Sequence, residues 1–337
     1  TLLQQEPIQF KGGQQIHKYK NKGTLTKGTS YRSLLMSSHI GKVHHLRLRT
    51  YTLHHQIQHL NEMQCGGRPS RFTELPTYYN RLLQTYAKLA NKNIAFLFLD
   101  VKNAFYSVIR QTLTTHGTSD QAVHHALQQL NINQPTMHNI QEYISNQTLF
   151  SRTNLQQDLE AEIAETLQST WTTEQYLYTI NHTRKSTRPG DTLADALFNY
   201  SLSIIIQQIQ QNLEAQDITI TIPHSQQQPI TQPVLHNTHT TPVYLRDASF
   251  VDDDTIPIIA DTPQQLLTKI QATALTVHDT LNKFAYQMQL NGKTTIILHL
   301  RGKGVQQIKH HIFITHQGKI HYDTDSKDKN IKKLDRQ

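Results

Sequence analysis

Six consecutive apolar residues, Ile94-Ala95-Phe96-Leu97-Phe98-Leu99, end on Asp100, and far downstream Phe250-Val251 runs into Asp252-Asp253-Asp254. Each is a short apolar run closed by aspartate, the pattern of a strand whose last side chain stands at a surface. An adjacent aspartate triplet repels itself unless water or a cation screens it. Brought together, the two segments would make a carboxylate pocket for hard divalent cations, Mg²⁺ first because every ligand is an oxygen. Two such ions roughly 4 Å apart serve in-line phosphoryl displacement. The acidic ends therefore point to nucleotide polymerisation.

The rest of the chain bounds that expectation. At 337 residues it can bury a sizeable core, as one large or two small domains. A hydrophobic content of 36% is low, and a surface rich in Gln, Thr, Asn and His makes up the difference, as in a soluble protein. No apolar run approaches the ~18 residues of a membrane span, and no signal peptide opens the chain. Cys65 is the one cysteine, which excludes internal disulfides and points to a reducing compartment, nucleus or cytoplasm. Zinc is disfavoured, since neither C-x-x-C nor H-E-x-x-H occurs. The paired histidines (His44-His45, His54-His55, His124-His125, His310-His311) share no recurring ligand spacing and are read as compositional drift. The chain opens on Thr1 and closes on a charged stretch at 323–337, as expected of a piece cut from a larger polyprotein.

The net charge of +8 is concentrated at one end. Residues 1–71 hold eleven Lys/Arg against Glu6 and Glu62, a local charge of +9. A basic lobe joined to a nearly neutral body with an acidic pocket suits a polyanion held against a metal site. The alternative is a solvated N-terminal region without a partner.

Glycine-punctuated residues 1–75 predict short strands and loops with a helix over 42–60. Apolar spacing predicts helices over 77–91, 105–112, 119–130 with Ser119 as N-cap, 154–167, 193–213 and 263–286. Strands are expected at 94–99, 171–180, 294–300 and 307–315, and 243–251 with 255–259 reads as a hairpin whose turn carries the aspartates. Pro257 places that second strand at an edge or bulge. Residues 215–241, rich in Gln, Thr and Pro, read as a surface insertion. The sum is an α+β sheet domain with helices packed on one face.

The order of several segments resembles the reverse transcriptase domain of non-LTR (LINE-type) retrotransposons, over about residues 18–295. Lys20-Asn21-Lys22-Gly23, Tyr31-Arg32-Ser33-Leu34-Leu35 and Gly41-Lys42 resemble its fingers segment, and Gln64-Cys65-Gly66-Gly67-Arg68 its Q-x-G-x-R loop. Phe98-Leu99-Asp100 with Ala104-Phe105 resembles palm motif A. The stretch Arg188-Pro189-Gly190-Asp191-Thr192-Leu193-Ala194-Asp195-Ala196-Leu197-Phe198-Asn199 resembles motif B. Phe250-Val251-Asp252-Asp253 resembles motif C, and Leu290-Asn291-Gly292-Lys293-Thr294 a motif D one residue short.

The resemblance implies a right-hand polymerase core: basic fingers (1–75), a palm with finger-side insertions (76–300), and a hairpin and charged tail (301–337) leading toward a largely missing thumb. It implies catalysis by Asp100, Asp252 and Asp253, with two Mg²⁺ ions, or Mn²⁺ in substitution, held by these carboxylates and the Val101 carbonyl. It further implies that Lys22, with Lys20 as an interchangeable neighbour, and Arg32 grip the triphosphate. Phe105 would be an aromatic gate against a ribose 2′-hydroxyl, or plain core. Gly190 would admit template and nucleotide closely, or simply start a helix. Lys293 would protonate the leaving pyrophosphate. The partners implied are an RNA template, a DNA primer and dNTPs, with no membrane.

Motif B departs from the family pattern. Pro189 replaces glutamine and lacks its side-chain hydrogen bond, Thr192 replaces proline, and Asp195 the second proline. These departures and the Gln/His-rich composition favour an alternative, a decayed or co-opted nucleic-acid-binding protein with the same fold and no turnover. An RNA-dependent RNA polymerase shares the carboxylates and is disfavoured by Phe105.

Overall fold

The apolar run at 94–99 lies inside the larger of two main sheets and is covered on both faces. The protein, seen in a computed structural model, is described over residues 5–177, 179–224, 241–245, 247–290, 293–322 and 330–333. Strands β1 (Gly12–Tyr19) and β2 (Tyr31–Ser37) pair antiparallel. Helix α1 (His39–Gln56) starts where the Ser38 side chain accepts from the Gly41 amide, and α2 (Glu74–Leu89) leads into β3 (Asn93–Asp100). Two short helical turns follow, α3 (Ala104–Ser107) and α4 (Arg110–Leu113). Next come α5 (Asp120–Gln128), capped by Ser119, and α6 (Gln134–Asn146), capped by Asn133. A single turn, α7 (Leu149–Arg152), precedes α8 (Gln157–Leu167).

Strands β4 (Trp171–Glu174) and β5 (Ile180–His182) precede the long helix α9 (Ala194–Ala215). Strand β6 (Ile220–His224) pairs with β7 (Thr241–Leu245), and β8 (Ala248–Phe250) turns into β9 (Asp253–Ala260). A capping box between Thr262 and Gln265 opens α10 (Pro263–Lys283). Strand β10 (Thr295–His299), helix α11 (Val305–His310) and strands β11 (Lys319–His321) and β12 (Asn330–Lys333) follow.

The six-stranded sheet runs β11-β12-β10-β3-β9-β8, and β2-β1-β4-β5 forms the other. On one face of β3, Ala95, Leu97 and Leu99 join Ile256 and Ile258 of β9 beneath α9 and α10. On the other, Ile94 and Phe96 meet Leu83 and Ala87 of α2, with Ile222 and Leu245 of the β6–β7 pair. The fold is α+β, but its helices lie on both faces of the sheet rather than one. A strand apolar at every position needs such cover, because either bare face would expose hydrocarbon to water.

Five local expectations are corrected, the strand expected over 171–180 being two, β4 and β5, paired antiparallel. Residues 307–315 are not a strand: α11 continues into a π-helical turn (His311–Thr315), since buried Ile308 and Ile312 stand one helical turn apart. The hairpin expected in 301–337 is formed instead by β11 and β12. The helix expected over 105–112 is split by extended backbone at Val108 and Ile109, whose β-branched side chains are buried. Of the strand expected over 243–251, the first part is β7, which pairs with β6, and only β8 pairs with β9. Strand β9 is interior at its acidic end, and Pro257 lies beyond the reach of β8, which contacts only Asp253 to Thr255. Residues 225–240 of the expected insertion, and 323–329 and 334–337 of the charged tail, lie outside the described residues.

Candidate functional site

Antiparallel pairing of β3 with β9 sets Leu99 opposite Asp254 and Asp100 opposite Asp253. Directly opposed residues of such a pair share a face, so the Asp100 and Asp253 carboxylates stand side by side at the strand end. Asp254 shares the other face with Leu99 and is buried. Asp252 occupies the turn between β8 and β9, which is made by Val251 at φ 60°, a left-handed conformation costly for a β-branched residue.

That turn is clamped from outside. The Cys65 amide donates to the Ser249 carbonyl (2.8 Å) and the Ser249 amide to that of Met63 (3.0 Å). A Cβ placed on Gly66 would lie 2.1 Å from the Val251 nitrogen, so only glycine permits this approach. Asn199 of α9 donates to the Gly66 carbonyl (2.6 Å), and Gln64 donates to the Asn199 carbonyl (2.9 Å). The segments singled out around Gln64, Asn199 and Asp252 thus meet at one place.

Burial, and then neighbouring charge, shapes the acidic end. Burial, reinforced by Asp100, raises the Asp252 pKa. Burial, with the charges of Asp252 and Asp100, raises that of Asp253, and Lys293 opposes both shifts. Lys293 Nζ lies 2.7 Å from Asp100 Oδ2. Its neighbour Thr294 accepts from the Asp100 amide (3.3 Å), and the Gln289 amide donates to the Asp100 carbonyl (2.8 Å). Asn291 and Gly292 of this segment lie outside the described residues. Val101 faces Met288 in an isolated bridge whose bonds run through Asp100 and Lys102, so that bridge does not use the Val101 carbonyl. Among the described residues no three His, Cys, Asp or Glu side chains already converge as metal ligands. The donors nonetheless fit hard divalent cations: all are oxygens, and burial, reinforced by the neighbouring carboxylates, raises the Asp252 and Asp253 pKa values, a cost that a bound cation would relieve.

The other expected site residues are placed unevenly. Phe105 is half-buried, its ring 4.6 Å from that of Phe198 on α9. Arg32 is exposed on β2 beside Ser33, whose carbonyl accepts from the Tyr106 hydroxyl at 2.6 Å, and this ties β2 to the turn after Asp100. Lys22 is exposed in the β1–β2 connection and forms no ion pair with a described residue. Gly190, at φ 108°, does allow a close approach, but to this chain's own backbone: a Cβ there would lie 2.5 Å from the Leu35 carbonyl oxygen.

The departures in the segment before α9 are used internally. The Pro189 carbonyl accepts from the Leu35 amide (3.0 Å), and the Thr192 hydroxyl donates to the Lys42 carbonyl (3.0 Å). Asp195 takes both Arg49 Nε (3.0 Å) and Nη2 (2.7 Å), a bidentate clamp. Sequence reasoning missed a buried chain of charges. His45 Nδ1 lies 2.8 Å from Asp191 and Nε2 2.5 Å from Glu6, while Arg188 donates to Asp191 at 2.9 Å. Burial alone would lower the His45 pKa, but its hydrogen bonds to Asp191 and Glu6 outweigh burial and raise it. His45 is therefore a buried member of a hydrogen-bonded network with Asp191 and Glu6 rather than compositional drift. Only its place in the apolar spacing of α1 could have signalled burial.

A comparison with family models gave no match for this chain, and neither did a comparison with curated proteins.

Proposed function

We propose that this chain is an RNA-directed DNA polymerase domain of the non-LTR retrotransposon type, with fingers and palm. The observation that carries the proposal is the strand-end register: Asp100 opposite Asp253, with Asp252 at the adjoining turn. The clamp of that turn by the Gly66 loop and Asn199 supports it, because segments that resemble one family's motifs come together around the carboxylates.

Asp100, Asp252, Asp253 and the Val101 carbonyl would hold two Mg²⁺ ions, or Mn²⁺ in their place. Bound there, the ions would lower the pKa of a primer 3′-hydroxyl and offset charge on the departing pyrophosphate. Arg32 and Lys22 would supply fixed positive charge for the triphosphate, Phe105, packed against Phe198 of α9, would gate the sugar, and Lys293 would protonate the leaving group. The primer hydroxyl gives up its proton to water, its oxygen bonds to the α-phosphorus of a dNTP, the bond to pyrophosphate breaks, pyrophosphate leaves with the proton Lys293 would donate, and the primer grows by one dNMP.

A second reading is favoured by one contact. Asp100 is already neutralised by Lys293, as suits a co-opted nucleic-acid-binding protein that no longer turns over. Incubation with an oligo(dT)-primed RNA template and either dNTPs or rNTPs separates these cases. Incorporation of dNTPs alone supports the proposal, incorporation of rNTPs points to an RNA polymerase, and salt-sensitive RNA binding without synthesis supports the co-opted protein.

A further inference from the structure

A polar cleft of about 470 Å³ opens beside the turn after Asp100, walled by that turn, the α5–α6 connection, the segment before α9 and the end of α10. The volume is that of a site for a small organic ligand. Two exposed lysines, Lys102 and Lys185, line it from separate segments, and neither is ion-paired with a described residue. Ser107, Asn131 and Asn282 add neutral hydrogen-bonding groups, and Ile132 an apolar patch. None of the described lining residues is acidic. Two lysines lining one cavity without a carboxylate give it a positive character that attracts an anion.

We propose that this cleft binds a nucleoside phosphate, the lysines taking the phosphate and the amides and Ile132 the nucleoside. Lysine acts on phosphate as a point charge, so two lysines from separate segments can flank one anion without the planar match that arginine demands. The site is distinct from the carboxylate end: it contains none of Asp100, Asp252 or Asp253 and requires no divalent cation.

That independence makes the test clean. Binding of a fluorescent ATP analogue to the whole chain is measured in EDTA, which silences any metal-dependent site. The parent and Asp252→Asn should bind alike, whereas Lys102→Ala with Lys185→Ala should weaken binding at least about tenfold, the loss expected for charge-assisted contacts. Unlabelled ATP and AMP should compete and adenosine should not. Both lysines are exposed, so circular dichroism of the double variant should match the parent; Lys185→Glu alone should also weaken binding if it does not. No binding in EDTA, equal competition by adenosine, or binding unchanged in folded lysine variants would overturn the site. None of these outcomes bears on polymerisation, which is read separately with Mg²⁺ and dNTPs.

Discussion

Lys293 Nζ sits 2.7 Å from Asp100 Oδ2, and this ion pair puts a side-chain cation against the carboxylates that would hold divalent ions. The contact is local in space but spans most of the fold: Asp100 ends β3, and Lys293 precedes β10, the neighbouring strand. A lysine here screens three aspartates, and a divalent ion reaching Asp100 must displace it. Lys293 is 63% exposed, so the pair is well screened by water and displacement is cheap.

Removing that competitor should tighten metal binding. Lys293→Met is expected to lower the Mn²⁺ dissociation constant roughly two- to fivefold, the range for an exposed ion pair. Titration followed by the Mn²⁺ electron-spin signal reads this without any activity. Unchanged affinity would mean that Lys293 does not compete for Asp100.

Gly66 should tolerate no side chain. The obstruction to a Cβ is the Val251 backbone at 2.1 Å, not a flexible side-chain tip, so Gly66→Ala must shift the turn bearing Asp252. Overpacking of this kind costs about 1–3 kcal/mol. Denaturant titration should show that loss, with polymerisation falling further than stability explains. Gly28→Ala, with open space around its Cβ, is the matched control and should leave synthesis intact.

The buried charges around His45 set a pH window for stability. Its folded pKa is raised above 6.5, so its contribution is fully present below that value and is lost as pH rises through the folded pKa. For Asp191, burial works against ionisation, but hydrogen bonding from His45 and the charge of Arg188 prevail and lower its pKa below 3.8. Its contribution is present above 3.8 and is lost as pH falls through the folded value. Unfolding midpoints should therefore decline from mildly acidic pH toward alkaline pH, and His45→Gln should flatten that decline while lowering stability overall.

Asp254 should be better as its amide. Burial and then the charge of Asp247 raise its pKa well above 3.8, so its stability contribution is lost as pH rises through the folded value. Asp254→Asn mimics the protonated acid and is expected to stabilise the fold at pH 8 by on the order of 1 kcal/mol, with the gain vanishing near pH 4. Thermal unfolding at the two pH values decides it.

The acidic ends were legible in sequence because each follows an apolar run, and the cap at Ser119 because capping chemistry is local. The pairing that brings Asp100 to Asp253 could only be expected by resemblance, since strand register is a long-range fact. Residues 307–315 misled because Ile312, Phe313, Ile314 and Thr315 suit a strand by composition, and burial one turn apart decided for a helix. The His45 network was invisible for a similar reason: its partners lie 39 and 146 residues away, so no local spacing marks it. Gly190 was legible as a site of close approach, but the element approaching it, β2, was not.

The most direct test is primer extension on an oligo(dT)-primed RNA template with Mg²⁺ and dNTPs, comparing the parent with Asp252→Asn. Asp252 sits at a turn and is only partly buried, so the variant should fold as the parent does. Extension by the parent and none by folded Asp252→Asn is the expected result. Extension by both at the same rate would contradict catalysis at these carboxylates, and extension by neither, with RNA still bound, would contradict polymerisation by this chain.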